Sequence, residues 1–169
     1  EIIREKGTDR SKFFRGEVDK YSWVDIGSSY LMSDILAAYL YAQLQNRKKI
    51  QLNRTRIWDN YNKNLAEWAE TKNIRLPFIP DECQQAYHMF YLIMPSFEER
   101  NKLLIHLNSK GIMAVFHYLP LHLSYMGKKY GWKRGDCPIT EDLSSRLIRL
   151  PMYNKLDIRN VNFEHFYDY

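Results

Sequence analysis

The chain has 169 residues, 45% hydrophobic and 15% aromatic with only seven Gly and six Pro, which argues against a disordered or fibrous protein. That length suits one compact domain, or one domain with an attached piece of another. Its net charge of +5 is mild and evenly interspersed, and no base-reading motif accompanies it, which argues against a nucleic-acid binder. Cys83 and Cys137 form neither a disulfide framework nor a Cys-x-x-Cys pair, so a reducing, cytoplasmic setting is expected. No stretch approaches the ~20 apolar residues of a membrane-spanning helix. The chain opens at Glu1 and not at Met, and its first residues read as a fragment's cut end with something missing upstream.

In chain order, residues 1–6 read as the end of a helix stopped by Gly7. Residues 8–26 form a long connection without a period, whose aromatics Phe13, Phe14 and Trp23 favour a docked loop. The stretch around which the chain is organised comes next. Gly27, Ser28 and Ser29 offer backbone amides and two hydroxyls at the mouth of a helix, a composition suited to a phosphate, with an ordinary turn and cap as the alternative. Ser33 is the N-cap, and Asp34 places negative charge at the positive helix end. From Ile35 to Ala42 every side chain is apolar or aromatic, so this helix is expected to be buried.

Ile50, Ile57, Tyr61, Leu65 and Trp68 then recur at helical spacings, which predicts an amphipathic helix over 47–70 with Arg47, Lys48, Lys49, Arg54 and Arg56 on a solvated face. An unbroken helix over 33–70 would be about 57 Å long, so a bend or break is expected near Asn46. Pro77 and Pro80 mark an extended linker and the best candidate domain boundary. The expected organisation is the end of a larger domain over 1–45, a connecting helix over 46–75 and a small α/β domain over 76–169.

Within that last part, residues 86–94 read as a buried strand closed by Pro95. Ser96 caps a helix with Glu98 and Glu99 in its first turn, with Leu103, Leu104 and Leu107 inward and Gly111 beyond its end. A second strand is expected over 112–116, a Gly-punctuated loop over 123–140, a helix over 141–147, an apolar run over 148–151 and a closing helix over 157–167. This order predicts an α/β fold: a small sheet with helices on one face.

Chemistry is sparse. His117, Tyr118 and His122 lie where the second strand ends and Pro120 forces the chain out of the sheet, a position suited to facing a ligand; local hydrogen bonding is the alternative. No metal site is expected, because the two histidines are separated by a proline and no acid or thiol adjoins them. His88 reads as a core histidine, and His106 and His165 as helix-surface residues. No Gly-x-Ser-x-Gly, Walker or Gly-x-Gly-x-x-Gly motif is present.

Several motifs together carry a resemblance: Arg-Glu-Lys-Gly at 4–7, Gly-Ser-Ser-Tyr-Leu-Met-Ser-Asp at 27–34, Met-Ala-Val-Phe-His-Tyr-Leu-Pro-Leu-His at 113–122 and Arg-Leu-Ile-Arg-Leu-Pro-Met at 146–152. In order and spacing the chain resembles the C-terminal half of the DegT/DnrJ/EryC1/StrS sugar aminotransferases. The resemblance implies a fold-type I architecture in which this chain supplies the small C-terminal domain, a long helix and the tail of the large domain. It also implies pyridoxal 5'-phosphate, a homodimer with shared active sites, and amino transfer, with glutamate the expected donor, onto C4 of a nucleotide-linked 4-keto-6-deoxy sugar. It implies that Gly27, Ser28 and Ser29 form a loop reaching the neighbouring subunit's cofactor phosphate, and that His117, Tyr118 and His122 approach the sugar. The family commonly has Asn two residues after the glycine and Arg two further on; Ser29 and Leu31 stand there, and Leu31 cannot replace a guanidinium. The lysine that carries the cofactor lies upstream in the family, so no catalytic residue is expected in this chain and it is expected to be inactive alone. The alternatives are a family dehydratase, in which that lysine is replaced, and a non-catalytic binding module using the basic helix.

Overall fold

The computed structural model describes residues 1–169, which divide into two compact units, Glu1–Arg47 and Lys48–Tyr169. In the first unit the expected opening helix is absent: residues 1–7 form turns, and Lys6 and Gly7 take φ of 65° and 75°, a left-handed pair that cannot continue a right-handed helix. Glu5 bridges Ser29 and Thr8 bridges Trp23, pinning this turn against the later loop. Glycine is required where the two segments cross. A Cβ on Gly27 would lie 2.1 Å from the Gly7 nitrogen, and one on Gly7 would lie 1.7 Å from the Asp25 carbonyl oxygen.

Helix α1 (Arg10–Phe14) is next, and Phe13 packs edge-on against both Phe14 and Tyr21. Phe14 and Trp23 stay exposed, so backbone bonds hold this loop, such as Val24 N–H to Gly7 O at 2.7 Å, and not aromatic docking. Helix α2 (Asp34–Gln45) starts at Ser33, whose hydroxyl accepts from Leu36 N–H at 3.4 Å. It ends at Asn46, whose side-chain amide turns back to the Ala42 carbonyl. The burial expected of this helix is not supplied by the chain. No residue of α2 is buried, and Ile35 is 82% and Tyr39 69% exposed, because no other element of its own unit covers its apolar side chains.

The second unit is built on α3 (Arg47–Thr71), which brings Ile57, Trp58, Tyr61, Leu65, Trp68 and Ala69 into the core. The units divide ahead of this helix, which shares its core with the C-terminal residues. Strand β1 (Phe90–Ile93), helix α4 (Phe97–Ser109) and strand β2 (Val115–Phe116) come next. A 3-10 turn (Leu121–Leu123), helices α5 (Tyr125–Lys129) and α6 (Pro138–Arg146), and strand β3 (Leu147–Leu150) lie beyond them. The chain closes with a second 3-10 turn (Ile158–Asn160) and the short helix α7 (Glu164–Tyr167).

The antiparallel sheet has the order β1-β3-β2, with Phe90 opposite Leu150 and Leu92 opposite Ile148. Those four side chains are buried on one face. Behind them Phe90 stacks on Tyr61 at 5.1 Å and meets Trp58 edge-on at 5.4 Å, while Tyr61 Oη donates to the Pro151 carbonyl. Helix α4 is capped as expected, Ser96 Oγ accepting from Glu99 N–H at 3.1 Å, and Leu103 and Leu107 are buried.

Five expected elements differ: the second strand, expected over 112–116, is only Val115–Phe116, and the loop expected over 123–140 contains α5. The first strand begins at Phe90 and not at 86, since Tyr87 takes φ of 46° and interrupts the extended run; His88 is consequently outside the sheet and not in the core. Helix α6 starts at Pro138, whose fixed φ and missing N–H suit the first helical position. The closing helix over 157–167 is a 3-10 turn and then four helical residues, because Val161 between them is extended.

Candidate functional site

Strand β2 ends at Phe116, and Pro120, at φ −54° and ψ 131°, keeps the chain from re-entering the sheet. His117 and Tyr118 therefore leave the sheet edge together and line a pocket of about 440 Å³ within the second unit. The Tyr118 ring is 71% exposed, with the His117 ring centroid 5.2 Å away and the Arg149 guanidinium 5.2 Å from its own centroid. His117 Nδ1 is buried without a partner in the chain, an unmade hydrogen bond that costs about 1–3 kcal/mol until another group supplies it.

Arg100 of α4 reaches the same pocket. Its guanidinium lies 4.9 Å from the Phe97 centroid and 5.9 Å from that of Phe116, and its Nε donates to the Ser145 carbonyl at 2.9 Å. Arg134, Glu141, Ser144 and Ser145 are the other polar residues of the lining. A pocket with aromatic rings and fixed cations suits a flat or hydroxyl-rich anion, stacked on the rings and held by charge.

His122 is placed differently from its two neighbours. It stands behind the pocket wall, with Nε2 donating to Glu141 Oε1 at 3.0 Å and both side chains nearly buried. Glu141 also accepts from the Gly135 amide at 2.7 Å, closing the loop between the 3-10 turn and α6. The His122 hydrogen bond first, and then the Gly135 amide, hold the Glu141 carboxyl below the usual carboxylate range. Sequence reasoning finds His117 and Tyr118 but not Arg100, Arg134 or Glu141; the available signal is Arg100 one helical turn after Phe97 on a capped helix. His106, expected on a helix surface, donates from Nε2 to the His165 carbonyl at 2.8 Å and joins α4 to the chain end.

In the first unit the three loop residues have separate roles. Gly27 permits the backbone crossing. The Ser28 backbone is engaged within the chain, its amide donating to Ile3 O at 2.9 Å and its carbonyl accepting from Lys6 N–H at 3.1 Å, so its amide is taken. Ser29 lines a pocket of about 490 Å³ that also receives Arg4, Lys6 and Arg10. A hydroxyl among cations is a donor set that fits a phosphate group.

The DegT/DnrJ/EryC1/StrS aminotransferase family's sequence profile matches residues 1–162. GDP-perosamine synthase of Escherichia coli O157:H7 is 30% identical over 160 residues, covering 90% of this chain and 41% of that protein. A DegT DnrJ EryC1 StrS aminotransferase from Brucella abortus superimposes with a TM-score of 0.73 at 29% identity, over 94% of this chain and 42% of that one. The PLP form of Spr1654 from Streptococcus pneumoniae, described as a sugar aminotransferase, shares the fold with a TM-score of 0.79 at 24% identity, over 98% of this chain and 41% of that one. The chain thus spans about two fifths of the length of the proteins it matches. With a profile match over nearly its whole length, the chain belongs to the DegT/DnrJ/EryC1/StrS aminotransferase family.

Proposed function

We propose that this chain is the C-terminal part of a nucleotide-sugar aminotransferase that moves an amino group from an amino acid, glutamate by our reading, to C4 of a dTDP-4-keto-6-deoxyhexose. The nearest activity in this reading is that of a dTDP-4-amino-4,6-dideoxygalactose transaminase working in the cytoplasm as a homodimer. The observation that carries it is the juxtaposition of His117 and Tyr118 on one pocket wall, in a chain whose family membership is established over residues 1–162.

Pyridoxal 5'-phosphate comes with this family membership, and it supplies, when bound, the electron sink through which the amino group is exchanged. The residues of this chain bind and orient. Tyr118 offers a ring face backed by Arg149, and Arg100 and Arg134 offer charge to a sugar nucleotide's diphosphate. His117, with one ring nitrogen already buried, is a positioning group for a sugar hydroxyl and not a proton carrier. Ser29 donates its hydroxyl toward the cofactor phosphate of a neighbouring subunit. Proton transfer is assigned to a lysine upstream of this chain; every lysine within residues 1–169 is exposed, which supports that assignment, since a lysine with its amine poised near neutrality needs desolvation.

The test is turnover of the intact enzyme with glutamate and a dTDP-4-keto-6-deoxyhexose. Formation of 2-oxoglutarate and the 4-amino sugar is expected, with His117→Ala and Tyr118→Ala raising KM more than they lower kcat. Release of ammonia and water with a deoxygenated keto sugar and no 4-amino sugar as product would replace this reading with the dehydratase. A cofactor-lysine adduct trapped by borohydride and mapped within residues 1–169 would overturn the division of labour.

A further inference from the structure

Helix α6 supports the two arginines of the His117–Tyr118 pocket in different ways. Its Ser145 carbonyl accepts from Arg100 Nε at 2.9 Å, so Arg100 is fixed by a bond between helices and by the rings of Phe97 and Phe116. Arg134 is exposed and reaches the pocket on a turn over residues 133–136. That turn is closed at its own ends: Asp136 N–H donates to the Lys133 carbonyl at 3.3 Å, and Lys133 N–H donates to Asp136 Oδ2 at 2.8 Å. Gly135 takes φ of 95°, the positive value that a type II turn needs at its third residue. A Cβ there would meet nothing within 4 Å, so conformation and not space requires the glycine.

One atom joins this turn to the opposite wall. Glu141 Oε1 accepts from the Gly135 amide at 2.7 Å and from His122 Nε2 at 3.0 Å. His122 lies two residues beyond Pro120 in the segment that begins with His117 and Tyr118, so a single carboxylate oxygen ties the Arg134 turn to that wall. The His122 and Glu141 side chains are only 9% and 12% exposed, so water competes little for these bonds. The two donors also offset the carboxylate's charge, which would otherwise oppose an anion drawn in by the arginines. We infer that Glu141 is a positioning residue: by holding the Gly135 amide and His122 on one oxygen, it fixes the Arg134 turn against the His117–Tyr118 wall and presets the pocket for the diphosphate of a sugar nucleotide. The choice of ligand rests on the aminotransferase reading, and the linkage rests on the two hydrogen bonds.

Binding of dTDP and of thymidine to the intact enzyme tests this role, with turnover measured alongside. Arg134→Ala and Glu141→Ala should each weaken dTDP about tenfold and leave thymidine within about twofold, raising the KM for the sugar nucleotide and moving kcat by no more than about twofold. Because Glu141 acts through the Arg134 turn, the double variant should bind dTDP no more than about twofold more weakly than Arg134→Ala alone. The geometry asks for reach more than for charge. Glu141→Gln keeps an oxygen within range of both donors and should stay within about threefold of native, whereas Glu141→Asp keeps the charge, falls one methylene short and should resemble Glu141→Ala. That ordering decides the matter should the alanine variant fail to fold. Multiplied losses in the double variant, tighter dTDP binding by Glu141→Asp than by Glu141→Gln, or native affinity in every Glu141 variant would each overturn the inference. With dTDP still weakened by Arg134→Ala, those results leave the aminotransferase reading intact. Native dTDP affinity in Arg134→Ala would overturn the inference together with the diphosphate role of Arg134, and an intact native protein that neither binds dTDP nor turns over the sugar nucleotide would overturn the aminotransferase reading as well.

Discussion

The two units of this chain handle apolar surface in opposite ways. The buried hydrophobic side chains, from Ile57 to Phe166, all belong to Lys48–Tyr169, where one long helix, a three-stranded sheet and α4 enclose a single core. Glu1–Arg47 is also rich in apolar residues but leaves Trp23, Ile26, Ile35 and Tyr39 between 69% and 83% exposed. Isolated apolar residues on a surface are ordinary, but a whole helix of them is not. The second unit therefore contains the means of its own stability, and the first is held by backbone pairing and two glycines.

The sharpest way to break this comparison is to truncate a leucine in each unit of this 169-residue chain. Leu65→Ala, at a fully buried site, should cost about 2–5 kcal/mol in denaturant unfolding, whereas Leu36→Ala on exposed α2 should stay within about 0.5 kcal/mol. Equal losses would mean that α2 packs against apolar surface after all. Next in size, Gly27→Ala forces a methyl into the Gly7 backbone and should destabilise the first unit by about 1–3 kcal/mol, read as faster exchange of the Lys6 and Ser28 amides with the second unit unaffected. Protection that survives the change would show that the crossing can open without loss.

The smallest effect is local and pH-dependent. Because the Glu141 carboxyl is depressed in the folded chain, its bond to Gly135 is complete above the unfolded value of about 4.3 and is lost as pH falls through the lower folded value. The Gly135 amide resonance should titrate with a midpoint below about 4.3, and Glu141→Gln should remove that titration. A midpoint at or above that pH would mean that the loop is not held by this carboxylate.

The features legible in the sequence are local. The Ser33 and Ser96 caps, the break at Asn46 and the inward stripe of α3 each depend on a few neighbouring residues, so spacing and side-chain chemistry are enough to read them. Periodicity overextends strand β1 because nothing in residues 86–89 announces the left-handed Tyr87. His117 and Tyr118 are legible as a strand-end pair; Arg100, which shares their pocket, is not, because α4 brings it there from a separate element of the chain.

By itself, then, the sequence determined the caps, the helical periods, the family and the serines of the loop, all properties of side chains adjacent along the chain. Only the tertiary structure decided that the Ser28 amide is spent on Ile3, that Ser29 shares its pocket with Arg4, Lys6 and Arg10, and that His122 is paired with Glu141. The physical reason is the same in each case. A donor's partner is set by which segments cross, and those crossings, Glu5 with Ser29 and His122 with Glu141, join residues too far apart in sequence for any periodicity to report.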